Sequence, residues 1–257
     1  MSITHAELTV RQDGPVAYLA FDRPAKRNAV NDAVIEALDA FFSDTPAGVK
    51  VVVLSGNGGH FSAGLDLSEQ VQREPLEVMR HSRNWHGVMH RIQFGGVPVV
   101  AALSGAVMGG GLEIAAACHV RVAEEGTMFR MPEGQRGIFV GGGGSVRIGA
   151  IIGADRLTEM MLTGRTYTAE EGVRLGLAHH LAPAGEALAK ASELARQVAQ
   201  NSATVNYLII QSLARIGKMS AEDGLYAESL AAALSQTGAD AEEGLRAFLE
   251  KRKPNFA

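Results

Sequence analysis

The chain has 257 residues, 46% of them hydrophobic, enough for one extended core plus a small appendage, and its formal net charge is −4. That acidic balance lacks the basic footprint nucleic acid or an anionic membrane requires, so neither is expected as a partner. The single cysteine, Cys118, excludes an internal disulfide; MSITHAELTV at the start has no signal-peptide pattern and the apolar runs are too short to cross a bilayer, which together imply a cytoplasmic location.

In chain order, VAYLAF (16–21) and KVVVLS (50–55) read as strands, and between them NDAVIEALDAFF repeats its apolar residues at helical spacing. PLEVMRHSRNWHGVMHRI is a longer helical pattern that ends near Gly95 and Gly96. VPVVAAL (97–103) then reads as a buried strand, GLEIAAACH as a helix and VRVA as another strand. This alternation predicts an α/β fold with a parallel sheet covered by helices. From about Gly153 onward strands are expected to disappear: six further segments, from ADRLTEMMLTG to DAEEGLRAFLEKR, all read as helices.

Three stretches carry the candidate chemistry. GGHFSAGLDL (58–67) is a glycine-rich loop after a strand. SGAVMGGGLEIAAACHV (104–120) sets Gly109, Gly110 and Gly111 before an apolar helix containing Glu113. MFRMPEGQRG (128–137) holds Glu133. Loops at the carboxyl ends of strands in an open α/β sheet are where ligands bind. Two such loops can aim backbone N–H groups at one oxygen, an arrangement that stabilises charge developing on a carbonyl by several kcal/mol.

Those stretches, with FDRPAKRNAVN before them and AFLEKRKPNF at the end, occur in an order and spacing that resemble the enoyl-CoA hydratase/isomerase (crotonase) superfamily over essentially the whole chain. The resemblance implies a crotonase-like (ClpP/crotonase) fold of repeated β-β-α units, with a core over residues 1–200 and a helical trimerisation region over 201–257, assembled as a homotrimer or homohexamer. It implies an oxyanion hole from the N–H groups of Leu65 and Gly110, and a hydratase's two acids at Glu113 and Glu133. It also implies coenzyme A contacts along Lys26, Arg27, Ala63, Gly64, Asp66, Leu67 and Gly109, with Phe248 and Lys251 reaching the coenzyme A of a neighbouring subunit. No separate cofactor and no metal are implied, coenzyme A being part of the substrate. The expected reaction is reversible hydration of a 2-enoyl-CoA to a 3-hydroxyacyl-CoA. Other readings are a double-bond isomerase, a C–C lyase or hydrolase of the same superfamily, or a noncatalytic RNA-binding or scaffold paralogue.

Residue chemistry suggests how the two acids divide the work. Glu113, in the first turn of a helix, sits where the dipole favours the ionised form and suits a base activating water. Glu133, beyond Met131 and Pro132 in a less polar stretch, is the more easily kept protonated by desolvation and suits a donor to Cα. Each has a bland reading as well, Glu113 as a helix-start charge and Glu133 as a solvated loop charge. Cys118 reads as structural, and His119 as a cation complementing a helix end. Ser145, in FVGGGGSVRIG (139–149), reads as a helix N-cap, because a nucleophile elbow needs one residue between each glycine and the serine. His81, His86 and His90 lack the partners of a zinc site. The 139–149 segment departs from the family's usual Pro-Gly-Ala-Gly-Gly-Thr-Gln-Arg pattern near the acyl tail, and Arg130 and His60 lie beside the motifs.

Overall fold

In the computed structural model, which describes residues 3–5, 7–69 and 72–256, a seven-stranded sheet forms the centre of the molecule. In chain order the elements open with β1 (Ile3–His5), β2 (Leu8–Asp13), β3 (Val16–Phe21), α1 (Asp32–Ser43), β4 (Val51–Gly56), α2 (Pro75–Phe94), β5 (Val99–Leu103), β6 (Ala106–Met108) and α3 (Gly110–Ala117). There follow β7 (Val120–Glu124), β8 (Met128–Arg130), α4 (Gly144–Ile152), α5 (Ala154–Thr163), β9 (Thr166–Thr168), α6 (Ala169–Leu175) and β10 (His180–Ala182). Four helices close the chain: α7 (Ala187–Val198), α8 (Ala203–Ile216), α9 (Ala221–Gln236) and α10 (Ala239–Leu249). The large sheet has the order β1-β2-β3-β4-β5-β7-β10; β1 to β3 are antiparallel and the pairs from β3 to β10 are parallel.

Strand β5 is apolar and buried at every position, and β4 over its first four residues, because both faces are covered, as parallel sheets require. Along β4, Val52 and Leu54 point into the main core with Leu38 of α1 and Met89 of α2. Val51 and Val53 pack on the other face with Ala187, Ala191 and Ala195 of α7. Small residues on α7 let that helix lie close to the sheet.

One expectation needs correction. Strands do not stop at Gly153: β9 and β10 follow it, each only three residues long. Runs that short carry no detectable alternation; β9 exists because Phe129 and Tyr167 pair in register, and β10 because it extends the edge beside β7. The glycine run directly follows a strand, β6, which lies outside the large sheet and belongs to a second sheet in the order β6-β8-β9.

Candidate active site

The first loop runs from the end of β4 and passes beside β6, where Ser62 and Val107 form a parallel bridge. Its neighbour on the other side is the turn after β3: Ala63 N–H donates to the Arg27 carbonyl at 2.9 Å, and Leu65 bridges Val30. Gly64 has φ +93°, a left-handed value that disfavours side chains, and a methyl there would meet the Met108 carbonyl oxygen at 2.7 Å. That close approach sets the start of the Leu65 segment directly against the start of α3. A methyl placed on Gly110 would lie 3.5 Å from Leu65 N, so the two backbone amides are near neighbours. As the first residue of α3, Gly110 has an N–H with no intrahelical acceptor. Gly111 allows the helix to seat: a methyl there would strike the Ser62 carbonyl oxygen at 2.7 Å.

A cavity of about 170 Å³ opens at this junction, and Leu65, Gly110, Glu113 and Glu133 all line it. Glu113 is buried, and its Oε1 accepts two hydrogen bonds, from Gly142 N at 2.9 Å and Gly144 N at 2.7 Å. The helix start therefore does not hold this carboxylate; the backbone of the segment before α4 does. Burial raises its pKa, and the two N–H donors and the Arg147 guanidinium act in the opposite direction. The net direction is upward, contrary to the expectation from the dipole alone.

Glu133 opens a short 3-10 turn, Glu133–Arg136, that follows β8. It is buried, and its Oε2 has no hydrogen-bond partner among the described residues. Burial, reinforced by the negative charge of Glu113, pushes its pKa up to about 7, while a hydrogen bond from its own backbone pulls the other way. Gly109, at φ +47°, makes room for it: a methyl on Gly109 would come within 2.7 Å of Glu133 Oε1.

The wall opposite comes from α2, whose sequence pattern marks a helix but not a site. Val78, His81, Ser82 and Trp85 stand on one face, at the i, i+3, i+4, i+7 spacing that was the available signal. His81 Nε2 lies 2.6 Å from Asp32 Oδ1, and Ser82 Oγ donates to the Gly141 carbonyl at 2.7 Å. Ile138, Phe139, Val140, Gly141 and Gly142 complete the lining, which places the divergent segment at the cavity.

The remaining expected contacts fall into three groups. Lys26, Arg27, Ala63, Gly64, Asp66 and Leu67 do come together, but Lys26 Nζ is engaged by Asp66 Oδ2 at 2.8 Å and by Glu69 Oε1 at 3.3 Å. Asp66 is buried and also pairs with Arg23 Nη2 at 3.0 Å, so its side chain fastens the loop rather than facing outward. Leu67 is exposed, and so is Phe248 on α10; neither Phe248 nor Lys251 lines the cavity within one chain. Elsewhere, Cys118 is buried, donates to the Ile114 carbonyl, and has its thiol pushed up to about 12 by burial. His119 is not a cation at a helix end. Burial lowers its pKa, and its Nδ1 accepts from Val99 N while Nε2 faces the Gln93 carbonyl. Ser145 is not the N-cap of α4; Gly143, at φ +101°, holds that place. His60 is half-buried and accepts from Ala106 N, and Arg130 is half-buried and bonded to Gln135.

The model of the enoyl-CoA hydratase/isomerase family matches residues 11–257. The chain belongs to that family. As an enoyl-CoA hydratase/isomerase it is 32% identical to the 2,3-dehydroadipyl-CoA hydratase of Escherichia coli (strain K12) over 98% of each chain. It is 29% identical to the short-chain-enoyl-CoA hydratase of Clostridium acetobutylicum over 95% of each. A solved structure from Rhodopseudomonas palustris is 48% identical with a TM-score of 0.94, covering 96% of this chain and 95% of that one. The enoyl-CoA hydratase of Bacillus anthracis superimposes with a TM-score of 0.91 at 29% identity, over 97% and 98%. The crotonase fold is thus established for a family that acts on acyl-CoA thioesters. Among the described residues no helix is long and apolar enough to cross a membrane.

Proposed function

We propose that this family member is an enoyl-CoA hydratase in which Leu65 and Gly110 hold the thioester oxygen, Glu113 activates water and Glu133 protonates Cα. The observation that carries this reading is the convergence of two backbone N–H groups and two buried carboxylates on one small cavity. Water addition needs three simultaneous services: an acceptor for the water proton, a cage for enolate charge on the thioester oxygen, and a proton for Cα. Glu113 receives two backbone hydrogen bonds that favour its ionised form, which suits the proton acceptor. Glu133 has an oxygen without a partner and a pKa near 7, which suits a carboxyl able to keep its proton at neutral pH. In the forward direction the water oxygen bonds to Cβ as its proton passes to Glu113, the π electrons move to the thioester oxygen, and the resulting enolate collapses as Cα takes the Glu133 proton. Dehydration runs the same steps backwards. The two acids are close enough to interact, so their titrations belong to the pair.

Coenzyme A is carried in as part of the substrate, and the backbone from Lys26 to Arg27 beside Ala63 and Gly64 is the surface this reading gives it. Exposed apolar residues on α8 to α10, among them Tyr207, Leu213, Tyr226, Leu234 and Phe248, support assembly into trimers or hexamers through that region. The deciding assay is loss of enoyl-thioester absorbance with crotonyl-CoA and longer 2-enoyl-CoAs. Glu113→Gln and Glu133→Gln should each lower kcat by about 10² to 10⁴-fold with an unchanged circular-dichroism spectrum. Full activity of both variants, or double-bond migration without net water addition, overturns the assignment.

A further inference from the structure

Arg147 lies in the opening turns of α4, where a cation opposes the dipole of its own helix. Its surroundings account for the placement. The two N–H groups that hold Glu113 Oε1 belong to Gly142 and Gly144, at the start of α4, and Arg147 closes over the same turn. Its N–H donates to the Gly143 carbonyl at 3.0 Å and its Nη1 to the Gly142 carbonyl at 3.4 Å. Gly143 makes this approach possible: it has φ +101°, and a methyl there would collide with Arg147 Nη1. From the other side Gln93, in the last turn of α2, accepts from Nε at 2.8 Å. The guanidinium is thus held between α2 and the peptide groups that cradle Glu113.

Charge follows the same geometry. Arg147 forms no ion pair among the described residues, yet it and Glu113 each favour the other's charged form, against the burial that penalises both. The other ionisable groups nearby do not take its place. Glu133 and His81 line the cavity with Glu113, but the first is an acid and the second is turned to Asp32, 2.6 Å away. Arg83, His86, His90 and Arg91 of α2 line a separate, open depression beside Arg147. Arg91 there is paired with Asp39 at 3.0 Å, and burial first, then the surrounding guanidinium groups, hold His86 and His90 below the usual histidine range. Arginine is not deprotonated in proteins, so Arg147 is a charge that stays fixed while Glu113 takes up and releases a proton. A carboxylate buried as Glu113 is, without such a charge, would keep its proton more tightly and serve less well as an acceptor from water.

We propose that Arg147 is a positioning residue for the reaction: braced by Gln93, it fixes the Gly142 peptide that holds Glu113 and supplies the positive charge against which that carboxylate stays ionised. This rests on the hydratase reading for the role of Glu113 as base. The test measures kcat/KM for crotonyl-CoA against pH in Arg147→Gln and Arg147→Lys. Losing the charge moves the acidic limb to higher pH, so in Arg147→Gln the loss at the acid end of the profile should exceed the loss at the optimum by about tenfold. Arg147→Lys keeps the charge and should restore the parent's limb, even where its loss at the optimum persists. A loss that is equal at every pH, as a purely structural role gives, overturns the proposal. If Arg147→Gln does not reproduce the parent's circular-dichroism spectrum, Gln93→Met carries the test: freeing the guanidinium should shift the limb the same way, with an excess acid loss of about threefold, and an unshifted limb overturns the proposal. A second readout needs no turnover. Carboxyl carbon-13 resonances are followed against pH, the Glu113 signal being the one that Glu113→Gln removes, and its midpoint should lie at higher pH in Arg147→Gln than in the parent or Arg147→Lys. An unmoved midpoint overturns the proposal as well. If no 2-enoyl-CoA gains water, the hydratase reading fails while the Glu113 midpoint still decides this one.

Discussion

Gly144 N–H donates to Glu113 Oε1 at 2.7 Å from 31 residues further along the chain, so the position of the candidate base is set by a segment that contributes no side chain to it. Gly142 belongs to the same cradle, and a methyl there would lie 2.8 Å from Glu113 Oε2 and 3.1 Å from Trp85 Cε3. Gly142→Ala should therefore displace the carboxylate while leaving the fold in place. A misplacement near 1 Å costs on the order of 10²-fold in rate. The expected result is a kcat loss of that size with KM altered by less than about threefold; a kcat close to that of the parent would show that the cradle does not position the base.

The raised pKa of Glu133 links stability to pH. Its folded value of about 7 lies above the ordinary glutamate value of 4.5 that applies in the unfolded chain, so the folded state binds the extra proton between those limits. Stability from this group is fully present below about pH 4.5, declines as pH rises and is lost above about 7. Glu133→Gln removes the titration, so the variant should melt higher than the parent at pH 8 and the difference should vanish near pH 4.5. Thermal melts at the two pH values check this; a constant offset would mean that Glu133 ionises freely in the fold.

Asp66 behaves in the opposite sense. Burial alone would raise its pKa, but hydrogen bonds from Lys26, Ser68 and Arg23 outweigh that and hold it well below the usual carboxylate range. Asp66→Asn leaves two cations facing an amide and should cost about 3 kcal/mol, the scale of breaking a buried pair. Because the folded pKa is depressed, the deficit should be full above about pH 4 and close as pH falls. Urea titrations at pH 7 and pH 3 measure both parts of the claim.

Cys118 supplies a negative control. With its thiol near 12 and its side chain buried, it should resist iodoacetamide at pH 8 in the folded protein and react only after denaturation. Cys118→Ala should retain enoyl-CoA turnover.

The legible parts of this chain were those with a strong period or a fixed local chemistry. The strand at 16–21, the strand read at 50–55 and found at 51–56, and the helices other than α4 follow from apolar spacing, and the glycine run marks a site because Gly110 and Gly111 permit a backbone approach that no other residue would. The three-residue strands β6, β8 and β9 were not legible, since their pairing depends on partners far along the chain. For the same reason the partners of Glu113 went unseen: a hydrogen bond between residue 113 and residue 144 leaves no mark in either local sequence. The hold on the Asp66 side chain was not legible either, because nothing nearby in the sequence announces Arg23, 43 positions earlier.

The glycine cradle also separates two kinds of evolutionary change. Because Glu113 is gripped by peptide groups at Gly142 and Gly144, the exposed side chains flanking that grip, Phe139 and Val146, are free to vary without disturbing it. Point mutations at those positions can thus reshape the rim of the site while the hold on the carboxylate is inherited intact.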